Sequence, residues 1–224
     1  MSNYEYKFDY TQVKNYKFYQ FMKTTFRPIV KLFYKVEYKG LENLPKKGTR
    51  YIVAVNHTHA FDPVFVSAPK QVPPLHFMAK SELFSNPLQA WFLTHINAFP
   101  VHRGKGDNSA IEYGEKIIEE GHVMAICPEG TRITDKGGKP QKAKAGVAVI
   151  AKATNAGVLP VAIHCDGKIK FGKKVTISYG ELITGEELGF NKENFGAKDI
   201  RTAATSIMQR IIDLWEAENN DKTC

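Results

Sequence analysis

The sequence is short of cysteine, of acidic charge and of long apolar runs, and each shortage excludes something. Its three cysteines, Cys127, Cys165 and Cys224, are too few and too scattered for a disulfide framework or a zinc finger. Two of them fall in apolar, strand-like runs, which predicts buried free thiols in a reducing compartment. No uninterrupted apolar stretch reaches the length needed to span a bilayer. The opening MSNYEYKFDY lacks the pattern of a secretory leader. Internal repeats, low-complexity tracts and long linkers are missing. So is any RNA- or DNA-binding signature. No Ser or Cys is set in a nucleophile elbow, which disfavours a covalent enzyme intermediate.

What is present is 224 residues with 43% hydrophobic content, enough for one sizeable core. Lys and Arg number 31 against 23 Asp and Glu, a net charge of +8. That excess points to an anionic partner such as a membrane surface or phosphorylated substrates. Much of it is concentrated early. On a helical wheel from Tyr10 to about Tyr34, Lys23, Arg27, Lys31 and Lys35 form one basic stripe. Phe18, Met22, Phe26, Ile29, Val30 and Phe33 fall on the other side. This basic amphipathic pattern suits a helix lying in a membrane interface, and its apolar face also suits packing on the core. Pro28 interrupts the pattern and predicts two short helices meeting near Arg27-Pro28. The expected organisation is a docking element over 1–34 and a catalytic domain over 35–224. The expected place is the cytoplasmic face of the cell membrane, peripheral or monotopic.

Beyond residue 34, strand-like runs alternate with helical ones: strands over 33–38, 51–55, 75–79, 123–127, 158–164 and 175–179, and helices over 83–92, 109–120, 147–156 and from about Ile200 to Trp215. The alternation predicts an α/β sandwich. Asp62-Pro63 has the form of a helix start, with Asp as the cap. His57 and Asp62 then sit between a strand's carboxyl end and the next helix, where open α/β sheets bind ligands. The imidazole can take a proton, and the carboxylate can fix its tautomer. Two further polar clusters follow strands: Arg103, and Glu129-Gly130-Thr131-Arg132. Guanidinium forks at Arg103 and Arg132 suit a phosphate. Gly130 permits close backbone approach, and Thr131 adds a hydroxyl. Glu129 beside a phosphate would repel it, and so is better suited to accepting hydrogen bonds from backbone or Arg groups. Two rival readings stand beside this one: a metal-dependent hydrolase ligated by the same His57, His59 and Asp62, and a non-enzymatic basic membrane-binding protein that works through Lys23, Arg27 and Lys31.

Together these blocks carry a resemblance. N-H-x-x-x-x-D at 56–62, F-P-V-x-R at 99–103, P-E-G-T-R at 128–132 and L-P-V at 159–161 resemble the four ordered motifs of the glycerolipid acyltransferases, in particular the bacterial 1-acylglycerol-3-phosphate acyltransferase group. Gly40-Leu-Glu-Asn-Leu-Pro45, Met78-Ala79-Lys80 and Lys144-x-Gly146 add to it, and the similarity runs from about Val36 to Gly180. The resemblance implies a mixed-sheet αβ sandwich with an N-terminal amphipathic helical element. It implies acyl transfer from acyl-CoA or acyl carrier protein to the free hydroxyl of 1-acylglycerol-3-phosphate, giving phosphatidic acid, with no cofactor beyond the donor substrate. Another lyso-lipid or glycerol-3-phosphate is the alternative acceptor. By the same resemblance His57 is general base, Asp62 its support, and Arg103 with Glu129–Arg132 the phosphate site. Lys80 and Lys144 assist there, and Pro160 shapes the acyl side. The family has Ser where this chain has His59, and His59 is left without a role.

Overall fold

The computed structural model describes residues 6–14, 16–102, 108–133 and 139–220. Arg103, in the second motif, lies outside them. Seven strands form one mixed sheet in the order β1-β7-β6-β2-β5-β3-β4. They are β1 (Lys35–Lys39), β2 (Tyr51–Val55), β3 (Leu75–Lys80), β4 (Ala98–Val101), β5 (Val123–Ile126), β6 (Gly157–Cys165) and β7 (Lys174–Tyr179). Every neighbouring pair is parallel except β6 with β7. All five residues of β2 are buried, as an apolar, β-branched run in a central parallel strand requires.

Helices cover both faces. On one lie α1 (Lys17–Phe33) and the short α2 (Asp62–Ser67); on the other lie α4 (Asn108–Glu119), α5 (Gly146–Thr154) and α6 (Ala197–Asn220). The remaining helix, α3 (Pro87–His95), packs beside β4. The helix after β2 thus goes to one face and the helix after β5 to the other. Adjacent strands that part in this way leave a crevice at their carboxyl ends. The motif residues follow β2, β5, β3 and β4, four neighbours in the sheet.

The N-terminal region departs from expectation in three ways. Residues 10–14 and 16 are not helical. Residues 6–14 instead wrap the β4 edge: the Tyr6 hydroxyl meets Thr94 Oγ1 at 2.8 Å, Tyr10 donates to the Pro100 carbonyl at 3.1 Å, and Phe8 packs edge-on against Tyr113 at 5.2 Å. Nor does Pro28 split the helix, because α1 runs unbroken through it. Pro28 and Thr24, whose carbonyl loses its N–H partner, are both exposed, so water can supply that bond. Tyr19 and Val30 hold the helix down on either side of the proline. Lys23, finally, leaves the solvated stripe and donates to the Val72 carbonyl. Burial, and then the neighbouring Arg27, lower its ammonium pKa to about 8.

Beside the N-terminal wrap, residues including Tyr16, His76, Thr94 and Asn97 line a cavity of about 220 Å³. His76 is 2% exposed. Burial, and then the nearby His122, depress its pKa from 6.5 to about 4. A depressed imidazole is neutral when folded and protonates readily when unfolded. Stability is therefore intact above pH 6.5 and falls as the pH drops from 6.5 towards 4. The loss should reach at most about 3 kcal/mol. Denaturant melts across this range should show a larger acid loss in the wild type than in His76→Asn.

Candidate active site

His57 comes two residues after the last strand residue of β2, and the backbone there is held by side chains. The Asn56 side chain continues the sheet. Its amide donates to the Ile163 carbonyl at 3.0 Å and accepts from the Ile163 N–H at 2.7 Å, as a further strand residue would. The sequence reading left Asn56 without a role. The signal was present in its position: a polar amide directly at the end of a buried parallel strand, where pairing has to stop.

The turn that follows is organised by Asp62. Its carboxylate is 1% exposed. Oδ2 accepts from His57 Nδ1 at 2.7 Å, Thr58 N at 2.7 Å and His59 N at 2.9 Å. Asp62 is therefore not the cap of α2; Phe61 occupies that position, and no side chain caps the helix. The carboxylate turns back to serve the three donors of the 57–59 turn. Because a carboxylate accepts, Nδ1 carries the imidazole proton and Nε2 presents a lone pair. The His57 side chain is 18% exposed, so the ring is accessible. An imidazole so held can take a proton at Nε2.

His59 shapes the same turn. Its Nδ1 accepts from the Phe61 N–H at 3.2 Å, and its ring lies 5.4 Å from Phe61 and 6.3 Å from Phe65. Among the described residues, no group of three or more His, Cys, Asp or Glu is placed to hold a metal ion.

Glu129 is turned towards the backbone. It is 5% exposed, and both carboxylate oxygens are taken by backbone N–H groups: Oε2 by His57 at 2.7 Å and Oε1 by Gln141 at 3.1 Å. Burial raises its pKa against these two donors, and the charge of Asp62 raises it further. The His57 carbonyl in turn accepts from Ile133 N at 2.8 Å. The 129–133 segment thus grips the His57 residue by both its N–H and its C=O.

Of the other expected residues, Thr131, Arg132 and Lys144 are exposed beside this grip. Gly130 has φ +70°, and a Cβ there would fall 2.7–2.8 Å from the Lys144 side chain. Glycine lets the lysine stem lie across the loop. The Lys144 N–H also bonds the Pro128 carbonyl at 2.8 Å. Lys80, at the end of β3, pairs with Glu82 at 2.8 Å. Pro160 is buried in β6 opposite Ala54, on the α6 side of the sheet and close to Gly180.

This arrangement has relatives. The sequence pattern of the family described as Acyltransferase matches residues 35–164. The chain belongs to that family. A 1-acyl-sn-glycerol-3-phosphate acyltransferase of Bacillus subtilis (strain 168) is 31% identical to this acyltransferase over 166 residues, covering 73% of this chain and 81% of that one. One of Streptococcus pneumoniae is 26% identical over 192 residues, covering 83% and 69%. The crystal structure of the 1-acyl-sn-glycerophosphate (LPA) acyltransferase PlsC from Thermotoga maritima matches the fold with a TM-score of 0.64 at 25% identity, over 87% of this chain and 80% of that one. The expected αβ fold of the glycerolipid acyltransferases is borne out.

Replacing Glu129 with Ala leaves two partly buried N–H groups without their acceptor, at about 1 kcal/mol each. Glu129→Ala should lower the melting temperature and kcat together while KM for the acyl acceptor changes little. A selective rise in KM would instead make Glu129 a substrate contact.

Proposed function

We propose that this acyltransferase moves a fatty acyl group from a thioester donor, acyl-CoA or acyl carrier protein, to the free hydroxyl of 1-acylglycerol-3-phosphate. The product is phosphatidic acid. The observation that carries the reading is the 2.7 Å contact of His57 Nδ1 with buried Asp62 at the carboxyl end of β2, beside the 129–132 loop. The names of the relatives support the acceptor.

In this reading Nε2 of His57 removes the hydroxyl proton as the oxygen attacks the thioester carbonyl. The tetrahedral intermediate collapses by breaking the C–S bond. The departing thiolate takes the proton back from the imidazolium, leaving an ester and a free thiol. Asp62 stabilises the imidazolium while it lasts. Arg132, Thr131 and Lys144 meet the acceptor phosphate, with Lys80 completing the basic side of the crevice. Glu129 acts behind them as a positioning residue. The metallohydrolase alternative is less well served, because His59 Nδ1 and Asp62 Oδ2 already accept hydrogen bonds from the turn.

The long-chain substrates of such a reaction reside in a bilayer, and α1 offers a face for it. Among the described residues no helix is long and apolar enough to cross a membrane. The apolar arc of α1 is wider than the strip that packs on the sheet: Tyr19 and Val30 are buried, while Phe21, Ile29, Leu32 and Phe33 are exposed. Phe18 carries the patch on to Trp91 and Phe92 of α3, with ring centroids at 5.5 and 6.2 Å. Lys31 and Arg27 flank it, as in interfacial helices. Phe18, Met22, Phe26, Ile29 and Phe33 supply the apolar side of this docking surface.

Acyl transfer from a labelled thioester to an acceptor panel tests the reaction. His57→Ala should lose about 10²–10⁴-fold in kcat. Arg132→Ala should raise KM for lysophosphatidate about tenfold or more. Undiminished transfer by His57→Ala would refute the base. Equal turnover of lyso-lipids lacking a phosphate monoester would refute the acceptor.

A further inference from the structure

The loop joining β6 to β7, Asp166-Gly-Lys-Ile-Lys-Phe-Gly-Lys173, has no part in the chemistry above. It presents Phe171 at 72% exposure among the exposed Lys168, Lys170 and Lys173. A phenyl ring ringed by like charge leaves most of its apolar surface in water here. Yet the ring is held in place. It lies 5.3 Å from Phe33 and 5.4 Å from Tyr34, centroid to centroid. Gly172 N donates to the Phe33 carbonyl at 2.8 Å, and Lys35 N to the Lys173 carbonyl at 3.1 Å. Beneath it Ile169 packs against the core. The loop is therefore fastened to the carboxyl end of α1, where Leu32 is 79% and Phe33 47% exposed. It also stands at the end of the sheet that carries His57, because β6 runs parallel to β2.

We propose that this loop is a second membrane anchor. Phe171 enters the headgroup region of an anionic bilayer, and Lys168, Lys170 and Lys173 pair with lipid phosphates. The anchor rests on the membrane reading of α1 and deepens it. Contacts confined to α1 and the adjoining α3 rings let the domain roll about the α1 axis. A second anchor at the active-site end fixes the roll and turns the His57 crevice towards the lipid. The occupant is a bilayer because the loop joins an aromatic ring to unpaired cations of one sign and continues an apolar helix face. Lys174, which pairs with Glu37 at 2.6 Å, is not counted among them.

The test is co-sedimentation of the full chain with phosphatidylcholine vesicles, with and without phosphatidylglycerol. Phe171→Ser should weaken partition about tenfold on both. The triple variant Lys168→Ser/Lys170→Ser/Lys173→Ser should lose about fivefold per lysine of the preference for phosphatidylglycerol. Both should keep the wild-type rate on a dispersed short-chain lysophosphatidate. Wild-type partition by both loop variants, with loss in Leu32→Ser, would overturn the loop anchor and leave the α1 reading standing. No sedimentation of the wild type on either vesicle would overturn both. Unchanged vesicle binding with reduced transfer from acyl carrier protein would assign the loop to a protein partner and overturn the proposal.

Discussion

One buried carboxylate that need touch no substrate organises the end of the sheet that carries His57. Glu129 accepts the N–H of His57 on one oxygen and that of Gln141 on the other. Two strands and a loop from distant parts of the chain are tied at that point. Ile133, four residues on, holds the His57 carbonyl. The imidazole is fixed separately by Asp62. Backbone and ring are thus positioned by different residues, and neither depends on a contact from the solvent side. Preorganisation of this kind spends folding energy in advance so that little reorganisation remains for the reaction.

The arrangement carries an electrostatic cost. Asp62 and Glu129 are two nearly inaccessible carboxylates close enough for the charge of one to raise the pKa of the other. Hydrogen bonds offset the cost: three donors converge on Asp62 Oδ2, and two more serve Glu129. Four of the five are backbone N–H groups in partly buried positions, which have no other acceptor in the turn. Each carboxylate therefore relieves the backbone as the backbone relieves it. The exposed cations on the 130–132 and 144 side add a field of opposite sign at the mouth of the crevice.

Much of this was legible in the sequence, and the failures have physical causes. The run Tyr51–Val55 was readable as a buried strand because five apolar residues end abruptly at Asn56. The order of the motifs placed them on a common edge once strands and helices alternated. The partner of each polar group was not legible. Asp62 followed by proline has the form of a helix cap, but three donors in the preceding turn outcompete the helix N–H groups. Pro28 has the form of a break, yet an exposed carbonyl and burial on both sides keep α1 whole. Nothing in the sequence of the β6–β7 loop ties it to α1. Only the packing of Phe171 on Phe33 relates it to a helix well over a hundred residues earlier.

The central claim is that His57 presents an unprotonated Nε2 because Asp62 holds the proton on Nδ1. Nitrogen-15 NMR of the imidazole, assigned by difference against His57→Gln, reads the tautomer directly at neutral pH. The account predicts a protonated Nδ1 with a strongly downfield proton and an unprotonated Nε2, both lost in Asp62→Ala. A resonance pattern with the proton on Nε2 in the wild type would contradict it.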